Sequence, residues 1–423
     1  MLQKSVVFVI LTIYMEVFMD DNRELEKEVE ENVDDVSSDE LDNESFTYRI
    51  DNNNVGNDYN KNYSSNKSII YIIIGVVILI SIILVLVFFA NRGISKTANY
   101  SKIEDNMVSG AKSYFKKYND KLPVTDGGYA SISADALIEN SFLKPFSEMV
   151  KDEVSCSGYV NVYRVNDDYS YFPYLNCGSE YESITLSNKI TSSLVTSGDG
   201  LYSYGDRYIF RGEYPNNYIK FNDKVWRIMG VNGDGSIKMI YSDKKIDRNA
   251  WDDRYNSSKE GYYGINDFRV SRLLEYLNDV YDKNTYVSKD NKVLLAKHDW
   301  CIGKVSREEM PISSLNLCSD IYNDIYIGIV QIDDVLLPSL DSKCINIYDN
   351  ECTNYNYFFT INTGWTFNAS SDDSYTAFNS NGASISYKKT SSEGYIRPVI
   401  NLNSNVLYRG GTGTIDDPYV IGY

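Results

Sequence analysis

Residues 69–90 run Ile-Ile-Tyr-Ile-Ile-Ile-Gly-Val-Val-Ile-Leu-Ile-Ser-Ile-Ile-Leu-Val-Leu-Val-Phe-Phe-Ala, 22 positions without a charge. At about 1.5 Å of rise per residue, a helix of that length covers the ~30 Å hydrocarbon core of a bilayer. A helix on the surface of a soluble domain keeps a polar stripe, and this run has none. The sequence therefore predicts one transmembrane helix over 69–90, which divides the chain into a short N-terminal part and a long C-terminal one.

The two parts differ in charge. Between residues 20 and 60, 15 acidic residues face only Arg23, Lys27 and Arg49, so this stretch carries −12 of the chain's formal −18 and leaves −6 for the rest. With few aromatics and many Asn and Ser, residues 1–68 have the composition of an acidic disordered tail. The apolar residues 6–19 are short and contain Glu16. They read as a second membrane segment, as a signal-peptide core, or, the preferred reading, as residues upstream of a start at Met19, so that 1–18 is not translated. No basic footprint exists for nucleic acid, which is excluded as a partner. The 38 tyrosines follow the codon bias of an AT-rich genome, and their number alone is no sign of a binding surface.

Orientation rests on two opposed signals. Arg92, Lys96 and Lys102 follow the apolar run while Lys61 and Lys67 precede it, a bias that would keep the C-terminal side in the cytoplasm. All six cysteines, Cys156, Cys177, Cys301, Cys318, Cys344 and Cys352, lie after the run, and an even set suits an oxidising compartment. The cysteines outweigh the bias, so the expected setting is a single-pass cell-membrane protein with its C-terminal region extracellular.

Past the run, Ile103, Met107, Ala111 and Tyr114, joined by Val108, Phe115 and Tyr118, recur at helical spacing over about 100–119. A short helix follows Ser133, with Leu137, Ile138 and Leu143 as apolar contacts. Strand-like segments 159–163 and 169–172 flank Asn166-Asp167, a two-residue turn. That turn sets Val165 opposite Asp168, and counting outward brings Cys156 opposite Cys177, near disulfide range. Asn166-Asp167-Asp168 also permits a three-residue turn and a register one step away. An anchor, an amphipathic helix and a hairpin together resemble a type IV pilin or pseudopilin in outline. The resemblance fails at Asn66-Lys67-Ser68-Ile69, which lacks the Gly-Phe cleavage site, so it implies a pilin-like module over 91–190 on a fixed anchor.

A Ser/Thr/Gly linker at 191–200 leads into a region of short strands: 208–211, 218–221, 225–229 and 237–240, with a turn at 232–235, a helix over about 270–280 on Leu273, Leu274 and Leu277, and mostly loop beyond. Gly198-Asp199-Gly200-Leu201-Tyr202, Tyr208-Ile209-Phe210-Arg211-Gly212, Trp226-Arg227-Ile228, Tyr395-Ile396-Arg397-Pro398-Val399 and Gly410-Gly411-Thr412-Gly413-Thr414 resemble, in order and spacing, surface domains of unassigned role from gut Firmicutes. More distantly, Trp365-Thr366, the Gly382 turn and the closing Arg-Pro-Val strand resemble the formylglycine-generating, sulfatase-modifying branch of the C-type lectin-like fold. The implied fold class is α+β: one transmembrane helix, a small pilin-like α+β module and a loop-rich C-type-lectin-like α+β domain over 201–423.

Chemistry-bearing patterns are sparse. The copper-binding cysteine pair of formylglycine-generating enzymes has no matching motif, and Cys344 with Cys352, and Cys301 with Cys318, are preferred as structural disulfides, although four cysteines allow three pairings. His298 is the only histidine, which leaves no multi-histidine metal site. Asp199, Asp234 and the Ser371-Asp372-Asp373-Ser374 loop could offer oxygens to Ca²⁺, with turn formation the default; no metal or cofactor is expected. The leading expectation is a non-catalytic, membrane-anchored surface protein for adhesion or binding, whose partners are the membrane and an unidentified glycan or protein, with Trp365, Asp372 and Asp373 as candidate ligand residues and Trp226 as core. The alternatives are a pseudopilin-like envelope or pilus assembly component and an extracellular carbohydrate-active or sulfatase-maturase-like enzyme.

Overall fold

A computed structural model describes residues 96–150, 154–244, 246–316 and 318–422, with Gly75 and Ser81. The acidic segment 1–68 lies outside the described residues, as does the apolar run 69–90 apart from Gly75 and Ser81, both helical and exposed. The described residues from 96 onward belong to one compact unit.

The first helix, α1 (Lys96–Lys117), buries Ile103, Met107, Ala111, Tyr114 and Phe115. It packs on a three-stranded sheet of β1 (Tyr129–Ser133), β2 (Ser157–Val165) and β3 (Asp168–Asn176), in the order β1-β2-β3. Between β1 and β2 lies α2 (Ala134–Glu139), started where the Ser133 hydroxyl accepts the Ala136 N–H at 3.2 Å. The β2–β3 register runs from Val165↔Asp168 to Ser157↔Asn176, the register of the two-residue turn, and Asn166 takes the positive φ of 56° that such a turn needs. The next pair outward is Cys156 and Cys177, joined as a disulfide.

A short helix, α3 (Leu186–Thr191), leads into β4 (Gly200–Tyr204), β5 (Arg207–Arg211), β6 (Tyr218–Phe221), β7 (Lys224–Val231), β8 (Ile237–Tyr241) and β9 (Asp247–Ala250). Then come α4 (Arg272–Asp282), capped by Ser271, and β10 (Leu295–Ala296), β11 (His298–Cys301), β12 (Ile321–Ile325) and β13 (Ile327–Gly328). The chain closes with α5 (Ile332–Leu336), β14 (Gly364–Ala369), β15 (Thr376–Asn381), β16 (Ser384–Lys389), β17 (Glu393–Ile396), β18 (Val399–Leu402), β19 (Leu407–Gly410) and β20 (Val420–Gly422). One antiparallel sheet has the order β10-β18-β8-β7-β5-β4, and a second has the order β16-β15-β14-β17-β9.

Twenty strands against five α-helices among the described residues correct the α+β expectation: the architecture is predominantly β, and the stretch after α4, read as mostly loop, carries β10 to β20. The physical reason is burial on both faces. All six residues of β14 are buried, so no polar alternation marks it as a strand. No helix among the described residues is long and apolar enough to cross a membrane, so the expected transmembrane helix is not found among them; its run, 69–90, falls outside the described residues apart from Gly75 and Ser81.

The two sheets are tied by Arg397, in the Ile-Arg-Pro motif between β17 and β18. Its guanidinium donates to the carbonyls of Tyr241 at 2.7 Å, Asp243 at 2.8 Å and Asn362 at 2.9 Å, and burial draws its pKa down to about 10. The Gly198–Gly212 motif is likewise structural. Gly212 has φ +105°, and a Cβ there would strike Asp199, whose carboxylate accepts the N–H groups of Glu213 at 3.1 Å and Tyr214 at 2.9 Å.

Candidate functional site

Trp365 has no accessible surface. Its indole N–H donates to the Asn249 carbonyl of β9 at 2.9 Å, and the Lys388 ammonium lies 4.6 Å from its ring centroid, so it braces the second sheet. Asp372 and Asp373 reach the surface region but spend their oxygens locally. Asp372 accepts the Arg307 N–H at 2.7 Å, and that bond, with Ser306 and the Arg307 side chain, holds its carboxyl below the usual range. Asp373 accepts the N–H groups of Tyr375 at 2.9 Å and Thr376 at 2.7 Å and the Thr376 hydroxyl at 2.6 Å. The structure thus brings Asp372 and Asp373 into one loop and leaves Trp365 apart from them, buried in the second sheet.

That loop is joined to a second one, 252–266, by two buried amides. Asn256, 3% exposed, donates to the carbonyls of Gly264 at 2.7 Å and Ser374 at 3.2 Å while its Oδ1 accepts the Ser258 hydroxyl at 2.6 Å. Asn266, 1% exposed, donates to the carbonyls of Ser370 at 2.9 Å, Asp373 at 2.8 Å and Thr376 at 3.0 Å, and its Oδ1 accepts from Lys304 at 2.7 Å. Underneath, the fully buried Asp252 accepts the Ile265 N–H at 2.6 Å and the Arg254 Nε–H at 2.8 Å. The amides of Asn256 and Asn266 and the carboxylate of Asp252 all have partners inside the protein, which is how an irregular loop becomes a fixed one.

What the braces hold outward is a ledge of tyrosines. Tyr255 is 51% exposed, Tyr262 78% and Tyr263 38%. Tyr255 and Tyr262 meet edge to face at 5.6 Å, and Tyr263 meets the half-buried Tyr375 at 5.9 Å. Lys389 and Lys259 each sit 5.0 Å from a ring centroid, over Tyr263 and Tyr375. The rings thus stand at steep angles to one another within each pair, at 79° and 63°, with ammonium groups close by. Aromatic rings with a polar tip combine apolar contact surface with hydrogen-bonding capacity. Sequence reading passed over Tyr255, Tyr262 and Tyr263. The available signal was their position in a segment of Asn, Ser, Lys and Gly with few aliphatic residues to bury them.

The other sequence candidates take structural places. His298, on β11, meets Trp300 edge to face at 5.6 Å, and burial, then Lys238, keep its pKa below the ordinary value. Asp234 closes its turn by accepting from Ser236 N–H at 2.9 Å and Oγ at 2.6 Å. Cys301–Cys318 and Cys344–Cys352 are disulfides, as is Cys156–Cys177, so no cysteine is left as a thiol. Three bridges mark an extracellular or secreted protein. No family model, curated protein or solved structure matches the chain.

Proposed function

We propose that this chain is a non-catalytic binding protein displayed at the cell surface, attached to the membrane through its apolar run, and that the tyrosine ledge of loops 252–266 and 370–375 takes a glycan. The observation that carries the reading is the contrast within the ledge: rings of Tyr255 and Tyr262 half or more exposed on a backbone locked by the buried Asn256 and Asn266. Exposed aromatics on a preorganised support bind without the entropic cost of ordering a loop. The disulfides support the extracellular setting.

The test is a glycan array probed with the full chain and with Tyr255→Ala/Tyr262→Ala. The reading expects a defined set of glycans to bind the unaltered chain. Each lost ring contributes about 0.5–1.5 kcal/mol, roughly two- to tenfold in affinity, so the double variant falls below detection for most of that set. Binding to no glycan, or equal binding by the variant, would overturn it.

A further inference from the structure

Far along the chain from the ledge, a cleft of about 280 Å³ opens where the β2–β3 turn meets the end of β10 and the residue before β13. Its polar lining is Asp126, Tyr163, Arg164, Lys297, Tyr326 and Asn403, with Val165, Leu295 and Ala296 supplying apolar surface. A volume just below the ~300 Å³ at which drug-sized pockets begin suits one small ring.

The walls are fixed by contacts that a packing fault would not have. Tyr326 is 8% exposed and lies parallel to Tyr281, at 2° and 5.2 Å. Its hydroxyl donates to Asp126 at 3.3 Å, and the same carboxylate takes the Asn166 N–H at 2.7 Å and the Lys297 ammonium at 2.5 Å. On the other side the Tyr163 ring stacks on Tyr129 at 5.5 Å, and its hydroxyl accepts from Asn405 at 3.0 Å.

Donors are left over. Asp126 is matched by Lys297, so the charge remaining in the lining is that of Arg164. This guanidinium uses Nε on the Asn166 carbonyl at 3.0 Å, and its ion pair with Asp167 is long, 3.6 Å, to a carboxylate fully open to solvent, a contact worth little. A planar fork with most of its five N–H groups unspent is the side chain best shaped to grip a carboxylate. Asn403 commits Oδ1 to Asn405 at 3.0 Å, and its amide nitrogen has no partner among the described residues. A cationic cleft with aromatic walls and a spare amide donor, in a chain of net charge −18, is selective for a small anion bearing hydroxyls.

We infer that the cleft between the β2–β3 turn and β10 binds a single carboxylate-bearing sugar ring, with Arg164 on the carboxylate, Asp126 and Asn403 on hydroxyls and the tyrosines against the ring. The site goes beyond the tyrosine ledge and does not depend on it. Calorimetry of the full chain with galacturonate, its methyl ester, galactose and acetate tests it. Galacturonate binds saturably; the ester and galactose, lacking the anion, bind at least tenfold more weakly; acetate does not compete. Arg164→Gln weakens galacturonate at least tenfold with an unchanged melting temperature, Ala296→Trp fills the cleft and abolishes binding, and Tyr255→Ala/Tyr262→Ala leaves it intact. No galacturonate binding, equal binding of the ester, full competition by acetate, or an Arg164→Gln variant that binds normally would each overturn the assignment.

Discussion

The helix-and-hairpin region of residues 96–177 and the large β region that follows bury their cores by different routes. In the first, α1 and the strands β1–β3 close Met107, Leu137, Val160, Val162 and Leu175 into a cluster whose members come from one short stretch of chain. In the second, β18 near the C-terminus pairs with β8, β10 and β13, so the main sheet stays unfinished until the last strands are placed. All four tryptophans lie in that larger core, each at most 1% exposed. Local contacts carry little loop-closure cost and long-range ones carry more. A region built locally is therefore set by its own turn and cap residues, whereas one built from distant strands depends on which side chains fit together.

The regions are nonetheless joined. Val165 and Phe172 of the hairpin belong to the larger core. Glu104 of α1, with no accessible surface, pairs with Arg409 of β19 and accepts from Ser183 and, at 2.9 Å, from Tyr181. The sharpest break in the comparison is Trp365→Ala. Emptying the second sheet's centre costs about 3–5 kcal/mol, read by urea denaturation, and in the joined account the most protected amides of β2 and β3 lose protection by a similar amount. Glu104→Gln leaves the Arg409 charge without its buried partner and costs about 3 kcal/mol; if the two regions unfold independently, only the first loses stability, and the joined account expects one shifted transition. Cys156→Ser/Cys177→Ser removes a bridge spanning 21 residues and costs about 2–3 kcal/mol, with the hairpin register kept because the Asn166 turn sets it.

The smallest expected effect is one of pH. Burial pushes the Asp126 carboxyl up, but the Lys297 ion pair and the Asn166 N–H outweigh it and hold its pKa below 3.8. A carboxyl depressed in the folded state stabilises above its unfolded pKa and loses that contribution as pH falls through the folded value. The protection factor of the Asn166 amide, taken relative to its intrinsic exchange rate, should fall below about pH 4, and Asp126→Asn should flatten that dependence.

The same division governs what was legible in the sequence. Asn166-Asp167 announced a turn, the turn dictated the register, and the helix face of Ile103, Met107, Ala111 and Tyr114 followed from a period of 3.6. Leu273, Leu274 and Leu277 revealed α4 in the same way. The strands β14 and β18, buried on both faces, carry no alternation, and their partners lie too far away in the chain to infer. Trp365 drew notice as a rare aromatic beside a polar loop, but a single sequence does not separate a ring pointing out from one beneath the surface. With 38 tyrosines, the three of the ledge are set apart by being gathered on one braced surface, which depends on Asn256 and Asn266 gripping carbonyls about 100 residues away.

The most direct test uses the other exposed tyrosines as internal controls. Tyr129 is 67% exposed, Tyr214 73% and Tyr355 60%, so mild iodination of the full chain labels them alongside Tyr255, Tyr262 and Tyr263. With a saturating oligosaccharide chosen from the array, the account predicts protection of the three ledge tyrosines and unchanged labelling of the controls. Protection of the controls instead, or no protection of Tyr262, would contradict it.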